Sequence, residues 1–152
     1  MALAEDHQLA DAIVTTITGA GLSITPANVI RVWVPKFSSP TLPDGVNVYV
    51  LPRGIAVERA TASLWDYSIT IHIGIVRRQR ESTNAHVDPL RDYAEEIFRV
   101  LRDTSYGTGD TTDNLDIWFK ERTNVDVTYD PEQLDDNQLF ISLLALEWGA
   151  LI

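Results

Sequence analysis

The chain contains no cysteine, which excludes disulfides, thiolate metal sites and thiol nucleophiles. Histidine is nearly as scarce. His7, His72 and His86 stand apart without an HxH or HxxxH pair, so a histidine-based metal site is not expected. No apolar run reaches the roughly 20 residues of a membrane-spanning helix. The opening MALAEDHQLADA places acids early and has no basic segment, so it does not read as a secretory signal. The setting expected is therefore a soluble chain inside a cell, with no membrane partner.

Catalytic patterns are missing as well. There is no GxSxG elbow. Gly107-Thr108-Gly109 lacks the spacing and the lysine of a phosphate loop. Asp110, Asp113 and Asp116 lack the alternate spacing and closing glutamate of a calcium loop. Glu95-Glu96 falls on two faces of a helical stretch and cannot converge on one substrate atom. Asp135-Asp136 sits in EQLDDN, where aspartate is favoured for local turn reasons. His72 reads as a half-exposed polar position on a strand. No catalytic residue, cofactor or metal ligand is assigned.

Cations are also unevenly supplied. Residues 1–80 hold seven Lys/Arg and six Asp/Glu, a net of +1; residues 81–152 hold five and sixteen, a net of −11, giving −10 for the chain. Phosphate binding needs clustered cations, which the acidic half lacks. A solvated acidic surface is the plain explanation of that half.

What the chain does have is an alternating stretch, LWDYSITIHIGIVRRQR, from Leu64 to Arg80. Trp65, Tyr67, Ile69, Ile71, Ile73 and Ile75 occupy every second position. A strand sends alternate side chains to opposite faces, so one face is apolar and the other mostly polar. This is expected to be the organising strand, its isoleucine face covered by helices.

The remaining segments arrange themselves around it. Leu9, Ala10, Ile13, Val14 and Ile17 predict a helix over residues 3–18, ended by Gly19 and Gly21. Val29 to Phe37 reads as a strand with Ile30, Val32 and Val34 on one face and Arg31 and Trp33 on the other. Pro43-Asp44-Gly45 is a turn signal, and Val46 to Leu51 reads as a second strand, making a hairpin with the first. Pro52-Arg53-Gly54 is expected to stop that strand, with IAVERATAS a connecting arm. Asp88-Pro89 reads as an N-cap followed by a first helical proline, starting a helix with the stripe Leu90, Tyr93, Ala94, Ile97, Phe98 and Leu101. Residues 103–114 form a polar loop. Leu115 to Phe119 has a mixed strand pattern, Val125, Val127 and Tyr129 a better one. Leu139 to Leu151 is apolar on both alternating faces, as an inner strand would be. The expected fold is a single α+β domain over 1–152, in the order α-β-β-β-α-β-β, with two helices on one face of a mixed, mainly antiparallel sheet.

Four tryptophans, Trp33, Trp65, Trp118 and Trp148, are spread along the chain and read as core or interface anchors. Arg77, Arg78 and Arg80 form the one basic cluster. It is either a solvated strand end or a contact for an acidic surface, which the second half of another copy would supply in a head-to-tail ring. Arg77, Arg78, Arg80, Trp33 and Trp65 are thus the candidate subunit-interface residues.

The succession VIRVWVPKF, DGVNVYVLPRG, WDYSITIHIGIVRR, DPLRDYAEEIFRVLRD and LFISLLALEW resembles the tail terminator and tail-completion proteins of long-tailed bacteriophages, over roughly residues 5–150. Those families follow a strand ending in VxPRG with a loop and a D-Y-x-I-x-I-x-I strand, and close the sheet with F-x-S-x-L-x-L. The matching positions are Val50 to Gly54, Asp66 to Ile75 and Phe140 to Leu146. The resemblance implies a virion protein assembled in the host cytoplasm. It implies a ring, commonly six-fold, that caps the head-proximal end of the tail tube. The partners it implies are further copies of the chain, the tail tube protein, a neck or connector protein, and a sheath if the tail is contractile. It also implies that genomic DNA passes through the ring's lumen without specific binding. An acidic lumen wall would repel phosphates, which makes Asp110, Asp113, Asp116, Asp135 and Asp136 lumen candidates. A neck or head–tail connector component is the alternative within that class. A small enzyme or ligand-binding domain, with a pocket between sheet and helices, is the alternative outside it.

Overall fold

The computed structural model describes residues 6–22, 24–33, 45–78, 84–104, 106–107, 116–123 and 139–151, with backbone alone at 84–87, 107, 116–118, 121–123 and 139–141. The organising strand is present as β3 (Trp65–Arg78) and lies inside the sheet. With β1 (Val29–Arg31), β2 (Asn47–Arg59), β4 (Tyr106–Gly107), β5 (Asp116–Thr123) and β6 (Leu139–Leu151), it forms a sheet in the order β1-β2-β3-β6-β5-β4. Helices α1 (Asp6–Gly19) and α2 (Asn84–Arg102) complete the α+β fold.

Side-chain alternation explains the packing. Ile69, Ile71, Ile73 and Ile75 are fully buried on one face of β3. They sit opposite Trp148, Leu146, Leu144 and Ser142 of β6. Leu9, Ala10, Ile13 and Ile17 of α1 and Leu90, Ala94, Ile97 and Leu101 of α2 join the same cluster. Both predicted helical stripes therefore bury against the isoleucine face. Phe98, Phe119 and Trp148 continue the core edge to face, with ring centroids 5.8 Å apart at each step. A hydroxyl pair ties α1 to β4: Thr16 Oγ1 and Tyr106 OH are 2.7 Å apart. The inner position predicted for β6 is observed, since β3 and β5 both pair with it.

Four local expectations are corrected. The first two strands are not a hairpin: β1 runs parallel to β2, with Val29 opposite Val48 and Arg31 opposite Val50. A parallel neighbour needs a crossover of about a dozen residues or more, and residues 32–46 supply that length. The inward side of β1 also differs. Val29 faces the helices and is buried, while Ile30 is 42% exposed. Val32 packs with Tyr49, Leu51 and Val76 on the opposite face.

Pro52-Arg53-Gly54 does not stop β2. The register steps from Pro52 opposite Ile71 to Gly54 opposite Thr70, so Arg53 is an extra residue in a bulge. Gly54 takes a φ of 134° that a side chain would resist. The proline is tolerated for a reason visible in the hydrogen bonds. The Val50 carbonyl accepts from Val32 N–H at 3.0 Å, so Val50 turns its peptide groups away from β3. Pro52, two residues on, faces the same way, beyond the last β1 partner, and a missing N–H there costs no ladder bond. The supposed connector 55–59 is the second half of this strand. Finally, α2 begins at Asn84, and Pro89 lies inside it. The Asp88 N-cap reading is therefore wrong: near a helix start, a proline forfeits only one bond to the carbonyl four residues back.

The predicted strand at Val125–Tyr129 lies outside the described residues.

Candidate functional site

Among the described residues, the candidate interface positions fall at separate places on the sheet. Arg77 and Arg78 are consecutive on β3, opposite Phe140 and Leu139, so they leave by opposite faces of the sheet. Arg77 is half-buried and Arg78 exposed; Arg80 lies outside the described residues. Trp65 is at the other end of the same strand, about 40 Å away at the usual rise per residue. Trp33 follows β1 and is 55% exposed. Each exposed indole carries a guanidinium over its ring: Arg31 stands 5.6 Å from the Trp33 centroid and Arg59 stands 5.4 Å from that of Trp65. Trp148, by contrast, is wholly buried, and the Trp118 side chain is outside the described set.

Of the lumen candidates, Asp110, Asp113, Asp135 and Asp136 lie outside the described residues. Asp116 heads β5, with its backbone opposite Gly107.

Acids gather elsewhere. Asp88, Asp92 and Glu95, with Arg91, line a cavity of about 340 Å³ floored by Ala94, Ser142 and Leu144. The spacing i, i+3, i+4, i+7 puts all four charged residues on one face of α2. Glu96 is exposed on another face, so the adjacent glutamates diverge as expected. The lining holds no histidine, and His72 lies across the sheet, opposite Leu51 and Ala145. Among the described side chains, the lining groups His72 with neither Ser142 nor the α2 acids.

His72 itself is shifted. Burial, then the positive charge of Arg53, pushes its pKa below the usual imidazole value. On the same face, Lys120 Nζ donates to Ser68 Oγ at 2.9 Å and stands 3.7 Å from Asp66 Oδ2 and 3.9 Å from Glu147 Oε1. Sequence reasoning missed this cluster, because Lys120 is the extra residue where the β5–β6 register steps between Phe119 and Glu121. A bulge re-aims one side chain, and strict alternation cannot anticipate it.

A further surface feature is the far half of the β2–β3 hairpin. Ile55 and Val57 sit on the helix face, opposite Ile69 and Tyr67. They are nevertheless 39% and 47% exposed, and Leu64 and Trp65 are exposed beside them. The buried cluster takes in Ile69 but neither Ile55 nor Val57. The tip is laced by hydrogen bonds. Ala60 and Thr61 donate their N–H groups to the Leu64 carbonyl at 3.0 and 3.1 Å. Arg59 donates from Nε to the Thr61 carbonyl and from Nη2 to the Ala62 carbonyl, at 3.3 and 3.0 Å. The sequence did carry a sign of this arm: Ile55 and Val57 alternate, one step out of phase with Val46, Val48 and Val50.

No protein-family model and no curated protein sequence matches the chain. No helix among the described residues is long and apolar enough to cross a membrane.

Proposed function

We propose that this chain is a non-enzymatic virion protein, a ring-forming tail terminator that caps the head-proximal end of a phage tail tube and offers a surface to the neck. The carrying observation is the far half of the β2–β3 hairpin, which leaves Ile55, Val57, Leu64 and Trp65 in contact with solvent on an isolated subunit. Clustered apolar groups at a surface mark an interaction site. The succession of strand motifs adds the phage context by resemblance. A ligand-binding reading would start from the α2 cavity, whose wall carries Asp88, Arg91, Asp92 and Glu95.

The test is light scattering on the purified chain, with negative-stain imaging of the same peak and then addition of preformed tail tubes. A closed multimer, or a chain that becomes a ring on tube ends, supports the proposal. A chain that forms no ring alone and binds no tube end overturns it.

A further inference from the structure

We infer that the outer edge of β2 over residues 55–59 pairs antiparallel, about a two-fold axis, with the same edge of a second copy of this chain. This goes beyond the ring reading and does not depend on it. Two hydrogen bonds settle which backbone groups face outward. Val50 turns outward, since its carbonyl accepts from Val32. At the hairpin tip Ala60 turns inward, since its N–H reaches the Leu64 carbonyl across the turn. Counting by twos from Ala60, Glu58, Ala56 and Gly54 face β3, while Arg59, Val57 and Ile55 point their N–H and C=O groups outward. β1 pairs with β2 only at residues 48–50, and no described residue pairs with the outer side of 55–59. Such an edge is a template for strand addition.

The occupant follows from self-complementarity. Outward residues must oppose outward residues, and the register that pairs the whole of 55–59 places Val57 across from Val57 of the second copy and Ile55 across from Arg59. On the other face, Glu58 falls opposite Ala56. No like charges meet. A parallel pairing would bring Glu58 near Glu58 and Arg59 near Arg59, which is unfavourable. The Arg59 head is already held over Trp65 and on the tip carbonyls, so its aliphatic stem is presented to the incoming Ile55. Ile55, Val57 and Trp65 of both copies then form one apolar strip. An edge this short is small against the roughly 1,200 Å² at which stable interfaces begin, so the pairing is reversible on dilution.

The absence of cysteine makes the test clean. Val57→Cys is expected to give a covalent dimer with a short bis-maleimide linker, whereas Ile30→Cys, exposed far along the same edge, is not. Val57→Pro removes an N–H that points to solvent in the monomer, and Val57→Lys sets like charges opposite each other. Each is expected to raise the dimer dissociation constant at least tenfold in sedimentation runs, with the unfolding midpoint unchanged. Cross-linked dimers with no larger species would uphold the pairing and sink the ring. Cross-linked pairs within a double ring would uphold both. An unlinked Val57→Cys protein, linking no stronger than Ile30→Cys, or the same dissociation constant in Val57→Pro and Val57→Lys, would overturn the pairing while leaving a ring free to stand.

Discussion

The two ends of β3 carry one alternating pattern and meet opposite surroundings. From Ile69 to Ile75 every inward isoleucine is sealed under α1 and α2. Toward Trp65 the same face carries Ile55, Val57 and Trp65 in solvent. Pattern alone does not separate the two. What separates them is the reach of the helices, which the strand's own residues do not encode. Alternation thus specifies a face, and a second element decides whether that face becomes core or contact surface.

The sharpest way to break the contrast is to cut one side chain at the sealed end. Ile73→Ala should cost about 3 kcal/mol of unfolding free energy, read by denaturant titration, since a fully packed β-branched side chain leaves a cavity behind. Tyr106→Phe removes the bond to Thr16 that ties α1 to β4. It should cost about 1 kcal/mol, and a loss near zero would show that the helix is held by apolar packing alone.

His72 tests the opposite face of the sealed end by pH. Its folded pKa is lowered, so at mildly acidic pH the unfolded chain binds more protons than the folded one, and stability rises with pH across that window. Stability should therefore fall as pH drops below about 6.5, the ordinary imidazole value, and His72→Gln should flatten that dependence. The smallest effect belongs to the arm. Ile55→Thr should change the unfolding free energy of dilute protein by less than about 0.5 kcal/mol. A loss as large as that of Ile73→Ala would erase the contrast between the two ends.

Most of the framework was legible in the residues. The helical stripes of α1 and α2 and the alternation of β3 each express one period, and each buried the side it predicted. The doubly apolar run of β6 became an inner strand for the same reason. Errors arose where the period changes phase or where pairing is non-local. Arg53 inserts one residue, so Val50 and Ile55 share a face although five positions apart, and a proline beside that step looked like a stop. The direction of β1 is a matter of its pairing with β2, a non-local contact, and not of its own three residues. The candidate site was less legible. Arg77 and Arg78 are adjacent in sequence and leave by opposite faces, while Trp33 follows β1 and Trp65 heads β3, two strands that do not pair with each other. The acids of α2 gather at helical spacing, which was readable, but their common cavity with Ser142 requires β6 to lie beneath them.

The Pro52–Gly54 bulge has a mechanical consequence. The extra residue lies in β2 alone, whereas β3 beside it stays continuous and paired with β6 from Asp66 to Arg78. The added twist of the bulge therefore falls on the outer strand, while the strand it leans on keeps its place in the sheet. Gly54 thus acts as a swivel for the edge alone: it sets the angle at which residues 55–59 leave the part of β2 that meets β1, with the core strand as the fixed rail.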